Sequence, residues 1–352
     1  MKIPLGLWER VTSYDNLDRA CRATLAGGRA LRGEGAVFQF NRERLLMSIQ
    51  ASLVNRTYRH GAYRSFTVFE PKERIVLAAP LRDRVVHHAL HDVVAPLFDR
   101  GFIFDSYACR NGKGTHRAIA RAHSFLRAHS HFIHLDVRKY FPSIPHQPLK
   151  RLIRRSIKEE PMLWLFDHII DSTAPKGRSR AGLDSSLLSG LPIGNLTSQF
   201  LANLYLNELD QFVKHILHCR AYVRYMDDFV LFHDDVGVIR NWYKAVTGFC
   251  ATELGLLLHD KGGIKHCGEG LGFLGFRIFE NHRRLKSPAL NRFVRRARAR
   301  WVEVEQGKIT YATFQSGLEA WRNHASYGDT HGLLLSLEKR YPMMRAGGRK
   351  GE

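Results

Sequence analysis

The chain has 352 residues, of which 44% are hydrophobic and 25% are charged, so its composition excludes a disordered protein and predicts a large core. Lys and Arg number 54 against 33 Asp and Glu, and the resulting net charge of +21 favours a polyanionic partner, nucleic acid before membrane. No apolar run of about 18 residues predicts a membrane span, and the five cysteines lack the CxxC spacing of a zinc site, so we expect a cytoplasmic protein that enters no membrane.

The start of the chain predicts helices rather than a targeting segment. Pro4 and Gly6 interrupt the first apolar stretch, so we expect no signal peptide. Residues 14–60 show helical periodicity. The predicted buried stripe of "NRERLLMSIQASLVNRTY" follows that spacing and consists of Leu45, Ile49, Leu53 and Val54.

A hairpin and an amphipathic helix are predicted next. The stretch "SFTVFEPKERIVLAAP" contains two short β-prone runs around Glu70, Pro71 and Lys72. From residue 81, "LRDRVVHHALHDVVAPLF" has helical periodicity. Its predicted buried side chains are Val86, Leu90, Val93 and Leu97. His87 and His91 have a metal-ligand spacing in this helix, but without a third ligand we expect both on the helix surface.

The middle of the chain alternates strand and helix signals. "HFIHLDVRKYF", residues 131–141, predicts a strand, and residues 146–170 return to helical periodicity. Residues 174–186 are polar and Gly-rich and predict a loop. A long apolar helix then opens after Thr197 or Ser198, both good N-cap residues.

The last third of the chain predicts further strands and then helices. "YVRYMDDFVLF", residues 222–232, predicts a strand pair, and "GFLGFRIF", residues 272–279, predicts another strand. Beyond Pro288 the sequence is helical and rich in arginine. Strands and helices that mix without regular βαβ alternation predict an α+β fold with a helical C-terminal part.

Acidic residues interrupt two of these predicted strands. Asp227 and Asp228 lie inside an apolar run, and Asp136 is flanked by Leu135 and Val137. Carboxylates in such places suit Mg²⁺, and two such ions roughly 4 Å apart can activate a hydroxyl and stabilise a leaving pyrophosphate. The residues alone leave a second interpretation open, because an Asp at a strand end often only caps a turn.

Seven segments, in order, resemble the motif series of reverse transcriptases. The central ones are "LDVRKYF", "LPIGNLTSQ", "YMDD", "LHDKGGI" and "FLGF", and "EPKERIVLAAPLRDRVVHHAL" and "FDSYACRNGKGTHRAI" precede them. The resemblance covers about residues 65–285. It implies an RNA-directed DNA polymerase that copies a template RNA, holds an RNA–DNA duplex and uses deoxynucleoside triphosphates. The implied fold is a right hand with fingers, a palm whose antiparallel sheet is backed by helices, and a helical thumb.

The resemblance also implies domain boundaries. The fingers, with N-terminal helices and a finger hairpin, would be 1–130, the palm 131–145 and 191–285, a fingers–palm insertion 146–190, the thumb 286–345 and a flexible tail 346–352. The catalytic carboxylates would lie in the palm and face a cleft.

For the acidic residues the resemblance implies catalysis. Asp136, Asp227 and Asp228 would form the catalytic triad and hold two Mg²⁺ ions, for which Mn²⁺ is a possible substitute. The backbone carbonyl of Val137 would be an auxiliary metal ligand.

Other residues of these motifs would contact the nucleotide. Lys72 and Arg74 would grip the triphosphate, although an isolated "KER" is also an ordinary surface hairpin. Phe141 would be the steric gate that rejects a ribose 2′-hydroxyl, the alternative being a core aromatic. Lys261 resembles the basic residue near the leaving pyrophosphate and is a candidate general acid. Lys265 is its rival, because "GGIK" departs from the usual Lys-Thr pair.

Two further groups would contact the nucleic acid. Leu274 and Gly275 of "FLGF" resemble the primer grip, where Gly permits close backbone approach. In the predicted thumb, three arginines at helical spacing would track duplex phosphates, namely Arg292, Arg295 and Arg296. The opposite stripe would be Phe293, Ala297 and Trp301. The alternative is a solvated basic face.

The motif "LPIGNLTSQ" departs from most reverse transcriptases, which carry Gln after Leu-Pro and Pro after the Ser. Ile193, Gly194 and Gln199 here resemble the nucleotide-binding motif of polymerases from diversity-generating retroelements. Those enzymes copy a template-repeat RNA with frequent errors at adenines. Ile193 can only pack where Gln would hydrogen-bond, so fewer polar contacts would discriminate between nucleotides. The other interpretation is that Ile193 is a neutral variant.

This subfamily also implies partners and competing hypotheses. A basic accessory variability protein, usually pentameric, would assist a bacterial, archaeal or phage-encoded enzyme. The main alternative is a retron-like or phage-defence reverse transcriptase. The second is a non-catalytic RNA-binding scaffold, which the intact set of aspartates disfavours.

Overall fold

The computed structural model describes residues 5–31, 33–69, 73–173 and 188–344. The predicted loop at 174–186, the tail at 346–352 and Lys72 lie outside these ranges. Within the described residues no helix combines the length and apolarity needed to cross a membrane. Helices surround antiparallel sheets, so the predicted α+β class is confirmed.

Helices form the N-terminal part of the chain, as the periodicity predicts. Their bounds are α1 Leu7–Thr12, α2 Tyr14–Leu25, α3 Gly33–Phe40 and α4 Arg42–Val54. In α4 the buried side chains are Leu46, Ile49 and Leu53, whereas Leu45 is half-buried and Val54 is exposed. The predicted stripe was therefore confirmed at Ile49 and Leu53 and wrong at Val54, because α2 and the helix Leu81–Asp99 cover the line through 46, 49 and 53.

The predicted hairpin is confirmed as β1 Arg64–Val68 and β2 Arg74–Ala78, paired antiparallel. Helix α5 Leu81–Asp99 follows, and α6 Thr115–Ala128 comes next. The predicted stripe of α5 is buried, that is Val86, Leu90, Val93 and Leu97. His87, expected on the surface, is buried as well. Burial lowers its pKa to about 3, so His87 is a neutral core residue.

A central antiparallel sheet contains the predicted acidic strands. These are β3 His131–Val137, β4 Tyr222–Tyr225, β5 Asp228–His233 and β6 Leu258–His266, in the order β4-β5-β3-β6. Strand β3 therefore lies between β5 and β6, and the two strands with acidic residues are neighbours.

The two faces of this sheet pack differently. One face supplies Ile133 to the main core, and the other supplies Phe132 and Phe232 to a smaller core shared with α6. Side chains alternate along a strand, so the face of Phe132 continues along β3 with His134 and then Asp136. This face therefore changes from apolar to polar towards one end of the sheet.

Helices cover the main core. They are α7 Tyr140–Ser143, α8 His146–Ser156, α9 Glu160–Ile170, α10 Leu196–Gln211 and α11 Val236–Thr252. Helix α10 begins after Asn195, so the predicted start at Thr197 or Ser198 was wrong. Asn195 has extended dihedrals that let the helix start earlier, and Thr197 and Ser198 are buried in its first turn.

A smaller sheet follows the central one. "GFLGFRIF" forms two strands instead of the predicted one, β7 Leu271–Phe273 and β8 Phe276–Ile278, and β9 Arg283–Leu285 pairs with β8. The reason is the backbone of Leu274 and Gly275, whose φ angles of 46° and 90° make a turn.

The C-terminal part is helical, as predicted. Its helices are α12 Ser287–Glu305, α13 Tyr311–Ala325 and α14 His331–Arg340. They pack around a core of their own that includes Phe293, Phe314 and Leu318.

Candidate active site

The ladder between β3 and β5 positions the predicted catalytic carboxylates. Asp136 and Asp228 are direct register partners at one end of that ladder. Asp227 lies in the tight turn between β4 and β5, and its carbonyl accepts a hydrogen bond from the Val137 N–H at 3.1 Å. The backbone therefore brings three aspartates to one end of the sheet. The role of the Val137 carbonyl stays a prediction.

Two basic side chains contact the same oxygen of Asp228. Lys261 Nζ lies 2.9 Å from Asp228 Oδ1 and 3.6 Å from Asp136 Oδ1. His134 Nε2 donates a hydrogen bond to Asp228 Oδ1. The Lys261 ammonium thus bridges carboxylates of two neighbouring strands, which shows that a positive charge fits between them.

The three aspartates differ in acidity. Burial, followed by the charge of Asp136, raises the pKa of Asp227 to about 6. Burial also raises the pKa of Asp136, and the charge of Lys261 opposes this. On Asp228 burial acts in the same direction, but the hydrogen bond and charge of His134, together with Lys261, outweigh it and lower the pKa. A cation beside Asp227 would lower its pKa, so this cluster favours a bound cation.

The chemistry of these donors fits a hard divalent cation. Carboxylate oxygens suit Mg²⁺ and Mn²⁺. In the described ranges, no group of three or more His, Cys, Asp or Glu side chains is arranged as a ready-made metal site. The fit rests on the carboxylate donors and on the ammonium of Lys261 between Asp136 and Asp228.

A cleft of about 870 Å³ opens beside Asp228. The predicted primer grip, Leu274 and Gly275, lines it together with Lys261 and Lys265. Sequence reasoning did not single out three further basic residues of this wall, namely Arg277, Arg284 and Lys286. The cleft is therefore basic around one carboxylate and suits a polyanion.

The two candidate lysines of β6 are placed differently. Lys261 contacts the carboxylates, whereas the Lys265 ammonium lies against Gly262, where an added Cβ would be 2.9 Å from Lys265 Nζ. Gly262 and Gly263 have φ angles of 113° and 74°, and the pairing of β3 with β6 is irregular there. The bend places Lys261 at the aspartates, and its role as general acid stays a prediction.

The predicted nucleotide-binding loop contacts the hairpin. The Ile193 carbonyl accepts a hydrogen bond from the Leu77 N–H at 3.0 Å. Gly194 has a φ of 110°, and an added Cβ would lie 2.7 Å from Val76 Cγ1. The loop therefore approaches β2 too closely for a side chain. Arg74 is exposed at the start of the same strand.

Phe141 and Gln199 lie on either side of this loop in sequence. The Phe141 carbonyl accepts a hydrogen bond from the Leu191 N–H at 2.8 Å, which joins the segment after β3 to the loop. The Phe141 ring is half-buried and packs against the main core. Gln199 Oε1 accepts a hydrogen bond from Cys109 Sγ at 3.5 Å. The contacts of Phe141 and Gln199 with a nucleotide stay predictions.

The predicted phosphate-tracking arginines lie on α12. Of the apolar stripe, Phe293 and Ala297 are buried and Trp301 is half-buried. Arg295 borders a hollow between α12 and α14, and Arg296 borders another between α12 and α13. The remaining arginine, Arg292, is half-buried. Arg295 and Arg296 therefore lie on different sides of the buried stripe of α12.

Sequence reasoning missed two residues near the aspartates, of which His134 contacts Asp228 directly and Arg224 contacts the neighbouring Met226 carbonyl. His134 precedes Asp136 by two positions, so strand alternation alone puts both on one face. Arg224 is fully buried and paired with Asp210. The signal was an arginine inside an apolar run, because buried charges are almost always paired.

An acidic sheet end beside a basic cleft is typical of an enzyme that acts on nucleic acid. Comparison with known families agrees, because the family described as reverse transcriptase (RNA-dependent DNA polymerase) matches residues 70–278, more than half of the chain. The chain belongs to the reverse transcriptase family, and the predicted resemblance is confirmed at that level.

Several known proteins are similar to this chain. Protein YkfC of Escherichia coli (strain K12) is 28% identical over 249 residues, 58% of this chain and 62% of that protein. The group II intron-encoded protein LtrA of Lactococcus lactis subsp. cremoris is 26% identical over 177 residues, 49% of this chain and 29% of LtrA. The putative COX1/OXI3 intron 2 protein of Saccharomyces cerevisiae is 22% identical over 283 residues, 62% of this chain and 31% of that protein. The chain spans less than two thirds of the length of each of these relatives.

Proposed function

We propose that the chain is an RNA-directed DNA polymerase, which adds deoxynucleotides to a primer 3′-hydroxyl on an RNA template. The observation that carries the proposal is the pairing of Asp136 with Asp228, with Asp227 in the adjoining turn and Lys261 between two of the carboxylates. Membership of the reverse transcriptase family supports it. The basic cleft beside Asp228 supports a nucleic-acid substrate.

In this proposal the three aspartates hold two Mg²⁺ ions, for which Mn²⁺ can substitute, with the Val137 carbonyl as an auxiliary ligand. When bound, such ions activate the attacking hydroxyl and neutralise charge on the leaving pyrophosphate. The hydrogen bond between Asp227 and Val137 fixes the turn against β3. His134 orients Asp228 and helps to keep it ionised.

Lys261 is the proposed general acid. Its ammonium lies at the carboxylates, on a flexible four-carbon side chain. A change of rotamer towards the pyrophosphate would bring its proton to the leaving group. Lys265 lines the same cleft and is the alternative donor.

The proposed domains follow the sequence boundaries. The fingers are 1–130, the palm 131–145 and 191–285, the fingers–palm insertion 146–190, the thumb 286–345 and the tail 346–352. The separate core of α12 to α14 supports the thumb. The contact of Gly194 with β2 supports a nucleotide pocket between hairpin and palm, to which Lys72, Arg74, Phe141 and Gln199 contribute.

The finer proposal is the polymerase of a diversity-generating retroelement. Its partners are a structured template RNA and a basic, pentameric accessory variability protein. Ile193 supports this, because its backbone binds the hairpin while its side chain has no polar atom to offer a nucleotide. Weaker discrimination at that position would permit errors at template adenines.

We also propose that the protein works in the cytoplasm of a bacterial or archaeal cell. All five cysteines, which lie within the described ranges, are free thiols. Free thiols fit a reducing compartment.

Primer extension on an RNA template with Mg²⁺ tests the proposal. We expect the intact chain to extend a DNA primer and the variant Asp227→Ala with Asp228→Ala to be inactive. Asp234→Asn with Asp235→Asn is the matched control, since these adjacent aspartates follow the other end of β5 and asparagine keeps an oxygen that accepts the hydrogen bonds of Ser130 and Gly237. Sequencing should show misincorporation mainly opposite template adenines.

Each other outcome has a definite meaning. Rare, evenly distributed errors would contradict the retroelement assignment and favour a retron-like or phage-defence enzyme. Absence of extension, even with the native RNA and an accessory protein supplied, would contradict the polymerase and favour an RNA-binding scaffold.

A further inference from the structure

Arg224, the third residue of β4, is a fully buried cation behind the turn that holds Asp227. Its side chain and that of Asp210 are both 0% exposed. Arg224 Nε donates a hydrogen bond to Asp210 Oδ1 at 2.7 Å, and Nη1 donates to Asn203 Oδ1 at 3.1 Å. Nη1 also donates to the Met226 carbonyl at 2.9 Å. One guanidinium therefore joins α10 to the turn.

The backbone of Arg224 is held as firmly as its side chain. Its N–H donates to the Asp105 carbonyl at 2.9 Å, and its carbonyl accepts from the Tyr107 N–H at 3.0 Å. Tyr222, two residues earlier on the same strand, donates its hydroxyl to Asp210 Oδ1 at 2.8 Å. Strand β4, α10 and the segment before α6 thus share one buried polar network.

The turn that receives this hydrogen bond has an unusual backbone. Met226 has a φ of 58°, a left-handed conformation that is rare for a bulky residue. Such conformations persist where the surroundings fix them, and they concentrate at functional sites. The Met226 carbonyl is held by Arg224 and the Asp227 carbonyl by the Val137 N–H, so the turn is tied on both sides.

We infer that Arg224 is a positioning residue for the candidate active site. Its guanidinium fixes the Met226 carbonyl and so sets the direction in which the Asp227 carboxylate leaves the turn. The same guanidinium couples that turn to α10, whose first turn belongs to the "LPIGNLTSQ" motif. The expected effect of Arg224 on primer extension rests on the proposed polymerase function. Its expected effect on metal binding does not require catalysis.

A purely structural ion pair would give a different result, and the chain offers a matched control for it. Tyr222→Phe removes a hydrogen bond to the same Asp210 oxygen without touching the Met226 carbonyl. A residue that only stabilises the fold should behave as Tyr222 does. A positioning residue should change the site even where the protein remains folded.

The test uses the full chain and two changes at Arg224. Arg224→Lys keeps a charge beside Asp210 but lacks the planar set of donors that reaches both Asp210 and Met226. The second variant combines Arg224→Met, Asp210→Leu and Tyr222→Phe. It replaces the whole buried pair by apolar groups, a change that proteins often tolerate. The role of Arg224 can therefore still be tested if Arg224→Lys does not fold.

Three quantities are measured for each protein, namely Mn²⁺ affinity by electron paramagnetic resonance, the kcat and KM of primer extension, and the thermal unfolding midpoint. We expect both Arg224 variants to bind Mn²⁺ about 10-fold to 100-fold more weakly and to lose a similar factor in kcat. KM for the deoxynucleotide should change by less than about 3-fold. Tyr222→Phe should lower the unfolding midpoint and leave Mn²⁺ affinity and kcat unchanged.

Several results would overturn the inference. One is a folded Arg224 variant with wild-type Mn²⁺ affinity and kcat. Another is an equal loss of both in Tyr222→Phe, which would make the effect structural. Wild-type protein that binds no Mn²⁺ would also overturn it. Wild-type protein that binds Mn²⁺ but extends no primer would contradict the proposed polymerase, and the Mn²⁺ series would still decide the role of Arg224.

Discussion

The acidic end of the central sheet and the basic helix α12 use charge in opposite ways. At the sheet end a few charges contact one another directly, and the side chains of His134 and Asp228 are only 9% and 19% exposed. On α12, Arg295 and Arg296 are exposed along a helix of 19 residues. A substitution of a fixed charge at low exposure is expected to change activity strongly and according to its position. Exposed charges contribute to binding additively, and salt screens them.

The largest expected effect belongs to the sheet end. Asp136→Asn keeps the shape of the side chain but removes a negative charge from the cluster. We expect single-turnover extension to slow by at least about 1000-fold, because a lost metal ligand removes several kcal/mol of charge stabilisation. Asp234→Asn is the control and should extend normally. A loss smaller than about tenfold for Asp136→Asn would place the chemistry elsewhere.

The burial of Asp227, together with repulsion from Asp136, predicts a stability effect. The pKa of Asp227 is about 6 in the folded state against an ordinary 3.8, so the folded protein binds that proton more tightly than the unfolded chain. This carboxylate therefore destabilises the fold above about pH 6, and the effect vanishes as the pH falls below about 4. Without metal at pH 7.5, we expect Asp227→Asn to raise the free energy of unfolding by about 1–3 kcal/mol. Denaturant unfolding of wild type and variant at pH 7.5 and again below about pH 4, where the difference should vanish, checks this. A variant less stable than wild type at pH 7.5 would contradict it.

His134 tests whether a residue that acts only through Asp228 has a smaller effect than the aspartates themselves. His134→Leu removes the donor to Asp228 Oδ1, and we expect extension to slow by about 10-fold to 100-fold. His134→Gln retains a donor and should lose less. The matched control is His131→Gln at the far end of β3, which should be neutral in the same steady-state assay. Equal rates for His134→Leu and wild type would remove His134 from the site.

Gly194 tests the contact between loop and hairpin. Gly194→Ala would push a methyl group against Val76 in a backbone conformation that alanine rarely adopts. We expect KM for the deoxynucleotide to rise by about 3-fold to 10-fold. Gly248→Ala is the control, because an added Cβ there meets nothing within 4 Å. An unchanged KM would separate this loop from the nucleotide.

The smallest effects are expected on α12. Arg295→Gln should weaken binding of an RNA–DNA duplex by about 2-fold to 5-fold and reduce the salt dependence of binding by about one phosphate contact. Arg155→Gln is the control, since Arg155 pairs with Glu208 on another part of the surface. Fluorescence anisotropy at several salt concentrations measures the duplex affinity and its salt dependence for each variant. An unchanged salt slope for Arg295→Gln would show that α12 does not follow the backbone.

The two regions also differ in what the sequence could predict. Asp136, Asp227 and Asp228 stood out because a carboxylate inside an apolar run violates the local pattern, and the motif resemblance then implied that the three lie together. The directions of the α12 arginine side chains were harder to predict from the sequence. Helical spacing alone does not show that Arg295 and Arg296 border different hollows.

The remaining misses depend on contacts between distant segments. His134 and Arg224 acquire their roles from strand pairing and from α10, which lie far away in sequence. His87 is buried because other segments cover it, although its own helix shows a surface-like polar pattern there. The start of α10 and the turn at Leu274 are set by backbone dihedrals that residue type only biases.

Single-turnover primer extension at limiting and saturating RNA–DNA duplex separates fixed catalytic charge from exposed binding charge. It compares Asp136→Asn with the combined Arg292→Gln, Arg295→Gln and Arg296→Gln variant. We expect Asp136→Asn to stay inactive at every duplex concentration. Saturating duplex should restore the arginine variant to the wild-type rate. Recovery of Asp136→Asn at high duplex, or an arginine variant that stays slow at saturation, would contradict the division between fixed catalytic charge and exposed binding charge.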